Sequence, residues 1–171
     1  EPNVKESAGG LRDLQTILWI SRASGIGKSW RELARRGLLT PEEARSIQRH
    51  ELVLLTLRIR LHYLAGRRED RLLFDHQTAL ARQLKLQDRP HRLASEQLMQ
   101  RYYRTAKTVS QLNTILLQNL GARIMPKLNR DYHAINQRFG TRGELLEART
   151  EQLFERKPEA ILESFILLQQ H

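Results

Sequence analysis

The sequence predicts a mainly α chain: a multi-helix bundle with one central buried helix and a candidate small β-hairpin near residues 131–149. Three observations point there. Apolar residues recur at three- and four-residue spacing through most of the chain, as in Leu11, Leu14 and Leu18 or in Leu98, Tyr102 and Val109. Helix starts are marked by capping residues, proline and acids, most clearly at Thr40-Pro41-Glu42-Glu43. Strand-like composition is confined to one late stretch. With 171 residues and 40% hydrophobic content the chain can bury a sizeable core, and residues 1–171 read as a single helical accessory domain.

The elements follow in order. A first helix is expected from Gly10 to Ser24, with Ser7 as its candidate cap and Trp19 and Ile20 widening the apolar face set by Leu11, Leu14 and Leu18. Gly27-Lys28-Ser29 imitates the end of a phosphate-binding P-loop. That loop needs a glycine where this chain has Arg22, and a strand where it has a helix, so Ser29 with Glu32 reads instead as a capping box. The short helix it opens runs to Arg36 and ends at Gly37. From Thr40 a long helix continues to Ala65, roughly 37 Å at 1.5 Å per residue, until Gly66 stops it. Leu52, Val53, Leu54, Leu55, Leu57, Ile59, Leu61 and Leu64 occupy more than one of its faces, the pattern of a helix packed on several sides.

Asp75 is expected to cap a helix over His76 to Leu86, ended by Arg89-Pro90. An amphipathic helix follows from Ser95 to Leu120, striped by Leu98, Tyr102, Val109, Leu112, Leu116 and Leu120, with Gly121 as its stop and Pro126 limiting any continuation. Between Asp131 and Arg149 a hairpin could turn around Gly140-Thr141-Arg142-Gly143. Pro158 then starts a last helix expected to bury Ile161, Leu162, Phe165 and Leu168.

One stretch looks selected for chemistry. In Asn3 to Asp13, Gly9 and Gly10 sit where a loop hands over to a helix, so the backbone can turn tightly and be approached closely. A helix start there offers backbone N–H groups and a positive dipole end to an anion, and Lys5 and Arg12 would add two cations. The plainer alternative is a tight loop-to-helix turn in which Lys5 or Arg12 pairs with Asp13. A second charged run, Arg67, Arg68, Glu69, Asp70 and Arg71, reads either as a solvated loop or as an Arg-carboxylate network fixing this connection.

The run from Pro2 to Thr16 resembles the start of the helical region that follows the nucleotidyltransferase domain in bifunctional PII uridylyltransferase/uridylyl-removing enzymes. The run Leu64-Ala65-Gly66-Arg67-Arg68-Glu69-Asp70-Arg71-Leu72-Leu73-Phe74-Asp75-His76-Gln77 resembles a second signature of that family, and a weaker likeness covers Leu153-Phe154, Pro158 to Leu162 and Phe165. The resemblance implies a segment of a larger multidomain enzyme that moves UMP from UTP to the signalling protein PII. It further implies that Lys5, Gly9, Gly10, Arg12 and Asp13 line the nucleotide site, with Asp13 orienting Arg12 or Lys5. The implied partners are the nucleotidyltransferase and HD domains of the parent chain, PII and UTP, with magnesium bound mainly outside this segment. Ala8 stands where that family's pattern often has proline. Glutamine synthetase adenylyltransferases are similar only around Lys5, Gly9-Gly10, Arg12 and the acid at position 13, and form the related alternative.

The residues themselves exclude several chemistries. Metal-assisted nucleotidyl transfer needs closely placed carboxylates, yet no Asp-x-Asp pattern and no Gly-Ser pair occurs, so no catalytic residue and no metal ligand set is assigned here. His50 and His62 lie about 120° apart around one helix, and no His-Asp pair is evident in the sequence. The chain has no cysteine, so neither disulfides nor thiol catalysis arise. There is no initiator Met, secretory segment or membrane-length apolar run, which reads as a cytoplasmic piece of a longer protein. The net charge of +10 attracts phosphates and acidic protein surfaces, but the cations are dispersed and aromatics few, so nucleic acid is an unfavoured partner. A basic interaction module using Arg101, Arg104 and Lys107 is the non-enzymatic alternative.

Overall fold

A computed structural model describes residues 1–125, 132–143 and 145–170. It contains α1 (Leu11–Ala23), α2 (Trp30–Arg35), α3 (Pro41–Ala65), α4 (Phe74–Gln83), α5 (Ala94–Ile124), β1 (Tyr132–Ala134), β2 (Phe139–Arg142), β3 (Leu145–Ala148), α6 (Leu153–Arg156) and α7 (Ala160–Gln170). The chain divides into two compact units, Glu1–Leu120 and Gly121–His171. The mainly α architecture expected from apolar periodicity is the one observed.

In the first unit, α3 touches α1, α2 and α4. Its start is set locally: the Thr40 hydroxyl accepts from the Glu43 N–H, the Glu43 carboxylate accepts from the Thr40 N–H, and Pro41 needs no donor partner in the first turn. Gly66, at φ +62°, ends it in the left-handed region. Ile47, Leu54, Leu57 and Leu61 face a core shared with Leu11, Leu14 and Ile17 of α1, Trp30 and Leu33 of α2, Leu80 of α4, and Leu98, Tyr102 and Val109 of α5. The helix is packed on several sides, as expected, but one side stays uncovered. Leu52, Val53, Leu55 and Ile59 are exposed, Leu52 by 65%, because α1, α2 and α4 engage the other residues of the helix.

Several caps differ from expectation. Gly10, not Ser7, is the N-cap of α1; Ser7 Oγ instead accepts from the Asn3 N–H at 2.9 Å. At α2 the box is half closed: Ser29 accepts from the Glu32 N–H, but Glu32 reaches one residue further back, to the Lys28 N–H at 2.6 Å. The helix expected over His76 to Leu86 with Asp75 as its cap runs instead from Phe74 to Gln83 with Leu73 as N-cap, and the Phe74 N–H donates to the distant Glu1 carboxylate at 2.9 Å. α5 runs through Gly121 to Ile124, since a lone glycine without a left-handed φ costs a helix too little to stop it. Pro126 and Asp131 lie outside the described residues.

The second unit carries more strand than the expected hairpin. β1, β2 and β3 form an antiparallel sheet in that order, with Tyr132 opposite Arg142 and Arg142 opposite Leu145. Gly143, at φ +60°, lies just after β2, whereas Gly140 lies inside the strand because a Cβ there would run into the Tyr132 ring. Phe139, Leu153, Ala160 and Leu167 form a small core. The last helix also corrects the expectation: Ile161, Leu162, Phe165 and Leu168 are exposed, and Ala160 and Leu167 are the residues turned inward.

Candidate functional site

The two stretches singled out in the sequence meet. Residues 2–4 run antiparallel to residues 70–72: the Val4 N–H donates to the Asp70 carbonyl and the Leu72 N–H to the Pro2 carbonyl, each at 2.8 Å, with Asn3 bridged to Arg71. Val4 and Leu72 are both fully buried, so this short ladder is clamped by the core. It fixes where the chain enters the Lys5 to Asp13 turn.

The turn is built from its own side chains. Asn3 Oδ1 accepts from the N–H groups of Lys5 and Glu6, the local pattern that makes asparagine a turn former. The Gly10, Leu11 and Arg12 N–H groups donate to the carbonyls of Ser7, Val4 and Lys5. The backbone donors expected to face an anion at the start of α1 are thus occupied within the chain. Gly9 has φ +75°, and a Cβ there would overlap the Ala106 carbonyl of α5. Gly10 has a Cβ position only 2.7 Å from the carbonyl oxygens of Lys5 and Ser7. The glycine pair therefore serves close approach of the protein to itself.

Asp13 takes a different partner from the one the resemblance implies: its Oδ2 accepts from the Gly9 N–H at 2.7 Å, closing the turn. The two cations converge on Glu6. Lys5 Nζ lies 3.0 Å and Arg12 2.7 Å from Glu6 Oε1. The hydrogen bond from Lys5 holds the Glu6 carboxyl below its usual range; desolvation opposes it as the next largest influence, and the charges of Arg12 and Lys5 add to the lowering. Lys5 is mostly covered and Arg12 about half exposed, so the corner holds two cations bridged by one carboxylate.

Behind the corner lies the second cluster. Asp70 is 9% exposed and receives Arg58 Nε at 2.7 Å and His62 Nε2 at 3.0 Å, both from α3, while Arg68 stands 3.8 Å away. Burial pushes the Asp70 carboxyl up, but hydrogen bonds and charge from Arg58 and His62 outweigh it and hold the carboxyl low. Glu69 accepts from the Arg71 N–H, which lowers its carboxyl, and Arg67 stands 3.5 Å away. Of the run Arg67 to Arg71, Arg67 stands beside Glu69 and Arg68 near Asp70, Arg71 contributes its backbone N–H, and the close partners of Asp70 come from α3.

Arg58 and Glu6 were not singled out from the sequence, and His62 was weighed there only as a metal ligand. Arg58 and His62 are one helical turn apart and share a face, a signal visible in the sequence, but their target lies in the next loop. His62 and Asp70, eight positions apart, also form a pairing that no sequence motif marks. It is a hydrogen-bond contact; among the described residues no group of three or more His, Asp or Glu side chains is placed to hold a metal ion. Among them, too, no helix is long and apolar enough to cross a membrane.

Residues 1–117 match the family model described as GlnD PII-uridylyltransferase, and residues 139–171 match one described as the uridylyltransferase GlnD third domain. The chain is 60% identical, over its whole length, to a bifunctional uridylyltransferase/uridylyl-removing enzyme of Nitrosospira multiformis, of which it covers 19%. It is 54% identical to the enzymes of that name from Aromatoleum aromaticum and Burkholderia thailandensis, over 99% and 98% of its length and 20% of theirs. The chain therefore spans about a fifth of the length of these curated relatives. No solved structure matches it. A family model over two thirds of the residues and relatives aligned end to end place this chain in the GlnD PII-uridylyltransferase family.

Proposed function

We propose that this chain is the helical accessory region of a cytoplasmic enzyme that transfers UMP from UTP to PII and links that activity to a uridylyl-removing domain. The observation that carries the reading is the full-length similarity to enzymes of that name, and the union of both signature stretches in one ladder supports it. In this reading the Lys5, Gly9, Gly10, Arg12 and Asp13 corner borders the nucleotide. Lys5 and Arg12 exchange Glu6 for phosphate oxygens and stabilise charge as the pyrophosphate leaves. Glu6 keeps the cations apart and oriented while the site is empty. Asp13 acts on the Gly9 N–H, as a buttress of the turn.

Magnesium is proposed for the parent enzyme. The described residues offer no carboxylate set for it, so its ligands are assigned to the adjoining nucleotidyltransferase domain. The wider similarity to glutamine synthetase adenylyltransferases rests on the corner alone, whereas the Gly66 to Gln77 stretch favours uridylyl transfer.

The test is Lys5→Ala and Arg12→Ala in the intact enzyme. Each is expected to lower UMP transfer to PII by at least about tenfold with unchanged thermal stability, the size typical for losing one charge-stabilising donor. Full transfer in both variants would sink the site assignment.

A further inference from the structure

The side of α3 left uncovered forms one wall of a groove whose other wall is α5. Two hollows make it up, of about 700 and 650 Å³, and they share Arg49. The first lies between the Arg49 to Leu57 stretch of α3 and the Leu98 to Thr105 stretch of α5; the second lies between Glu42 to Arg49 and Thr108 to Ile115. The helices thus run antiparallel along it. From Leu98 to Ile115 it extends for about 26 Å at 1.5 Å per residue, the length of a helix of four to five turns. That length exceeds what a small ligand needs.

Its chemistry is graded. Leu57, Leu98 and Tyr102 form a buried floor, and Leu52 and Val53 stand exposed along the wall. Arg49, Arg101 and Arg104 rim this half, and no carboxylate among the described residues pairs with them. Glu42 and Glu43 lie at the other end, beside Leu112 and Ile115. Three guanidinium groups without a carboxylate partner over an apolar floor describe a surface missing both its charge complement and its hydrophobic cover.

We propose that the α3–α5 groove is the docking site for an acidic amphipathic helix of a partner protein, whose apolar stripe covers Leu52, Val53 and Ile115. Its glutamates or aspartates pair with Arg49, Arg101 and Arg104, and Glu42 and Glu43 exclude acids from its opposite end. Charge fixes direction, while the apolar stripe supplies affinity in the manner of helix-in-groove recognition. The groove shares no residue with the Lys5 to Asp13 corner, and the assignment is independent of the reading of that corner.

The test uses the full polypeptide that carries this chain and a fluorescein-labelled synthetic amphipathic helix, with leucines at three- and four-residue spacing and glutamates over one half. The expected result is binding that weakens with salt. It should fall by at least about tenfold with Arg101→Glu/Arg104→Glu and with Val53→Asp, while Lys107→Glu, off the groove, changes it less than about twofold. Equal binding of the peptide with serines for leucines, or no loss on charge reversal, overturns the proposal. So does an RNA oligonucleotide of matched charge that binds as tightly and loses as much in the same variants. No binding to the full polypeptide overturns it as well, since the groove is then filled from within.

Discussion

Asp70 is held by the Arg58 guanidinium and the His62 ring, one helical turn apart on α3, with Arg68 from its own loop nearby, so the fold selects its charged form. A carboxyl held lower in the folded than in the unfolded chain contributes stability that is present above its unfolded pKa, about 3.9, and is lost as pH falls through the folded value. Asp70→Asn should therefore flatten the acid side of the stability profile below about pH 4. At neutral pH it should cost about 1–3 kcal/mol, as expected for weakening hydrogen bonds to charged groups. Urea unfolding at a series of pH values reads both, and an unaltered acid slope would refute the assignment. Gly9 poses a steric question. A side chain there must adopt φ +75° and displace the Ala106 backbone, so Gly9→Ala should lose at least about 2 kcal/mol, unlike a ligand-facing glycine whose change would spare stability and impair only binding.

At the scale of elements, interactions closed within a few residues were legible. Thr40, Pro41 and Glu43 contain the whole instruction for starting α3, and Thr40→Ala should lower stability by about 1 kcal/mol with no effect on UMP transfer; differential scanning calorimetry beside an activity assay separates the two. Interactions completed by distant residues were not legible. The carboxylate that accepts from the first N–H of α4 belongs to Glu1, seventy-three positions away, and Asp70 finds Arg58 and His62 only because α3 and the following loop fold back on each other. Periodicity located every long helix but misjudged the buried face of α7 and did not show that one side of α3 stays open, because an apolar stripe states only that a face is to be covered. The candidate corner was legible as a location, through its glycines and cations. Its wiring was not: Glu6, given no role in the sequence, takes the two cations expected to pair with Asp13, and Asp13 closes the turn on the Gly9 N–H, a side-chain geometry that residue order does not specify.

At the scale of the whole molecule, two quantities oppose each other. The chain carries a net charge of +10, which keeps copies apart, and its last helix exposes Leu162 by 69% and Phe165 by 61%, with Ile161, Ile166 and Leu168 also exposed on it. Repulsion between like-charged molecules fades beyond the Debye length, about 10 Å at 0.1 M salt and about 3 Å at 1 M, whereas burial of apolar surface survives added salt. Expressed alone, the 171-residue chain should therefore be least associated in dilute buffer and should self-associate as salt rises, a sign opposite to that expected for an acidic helix in the α3–α5 groove. Leu162→Glu/Phe165→Glu should abolish the salt-induced step, because it removes the two most exposed apolar side chains of α7 and adds charge where they stood. Light scattering across a salt series distinguishes the outcomes: association that falls with salt would assign it to ion pairs, and association unchanged in the double variant would move the responsible surface to another face.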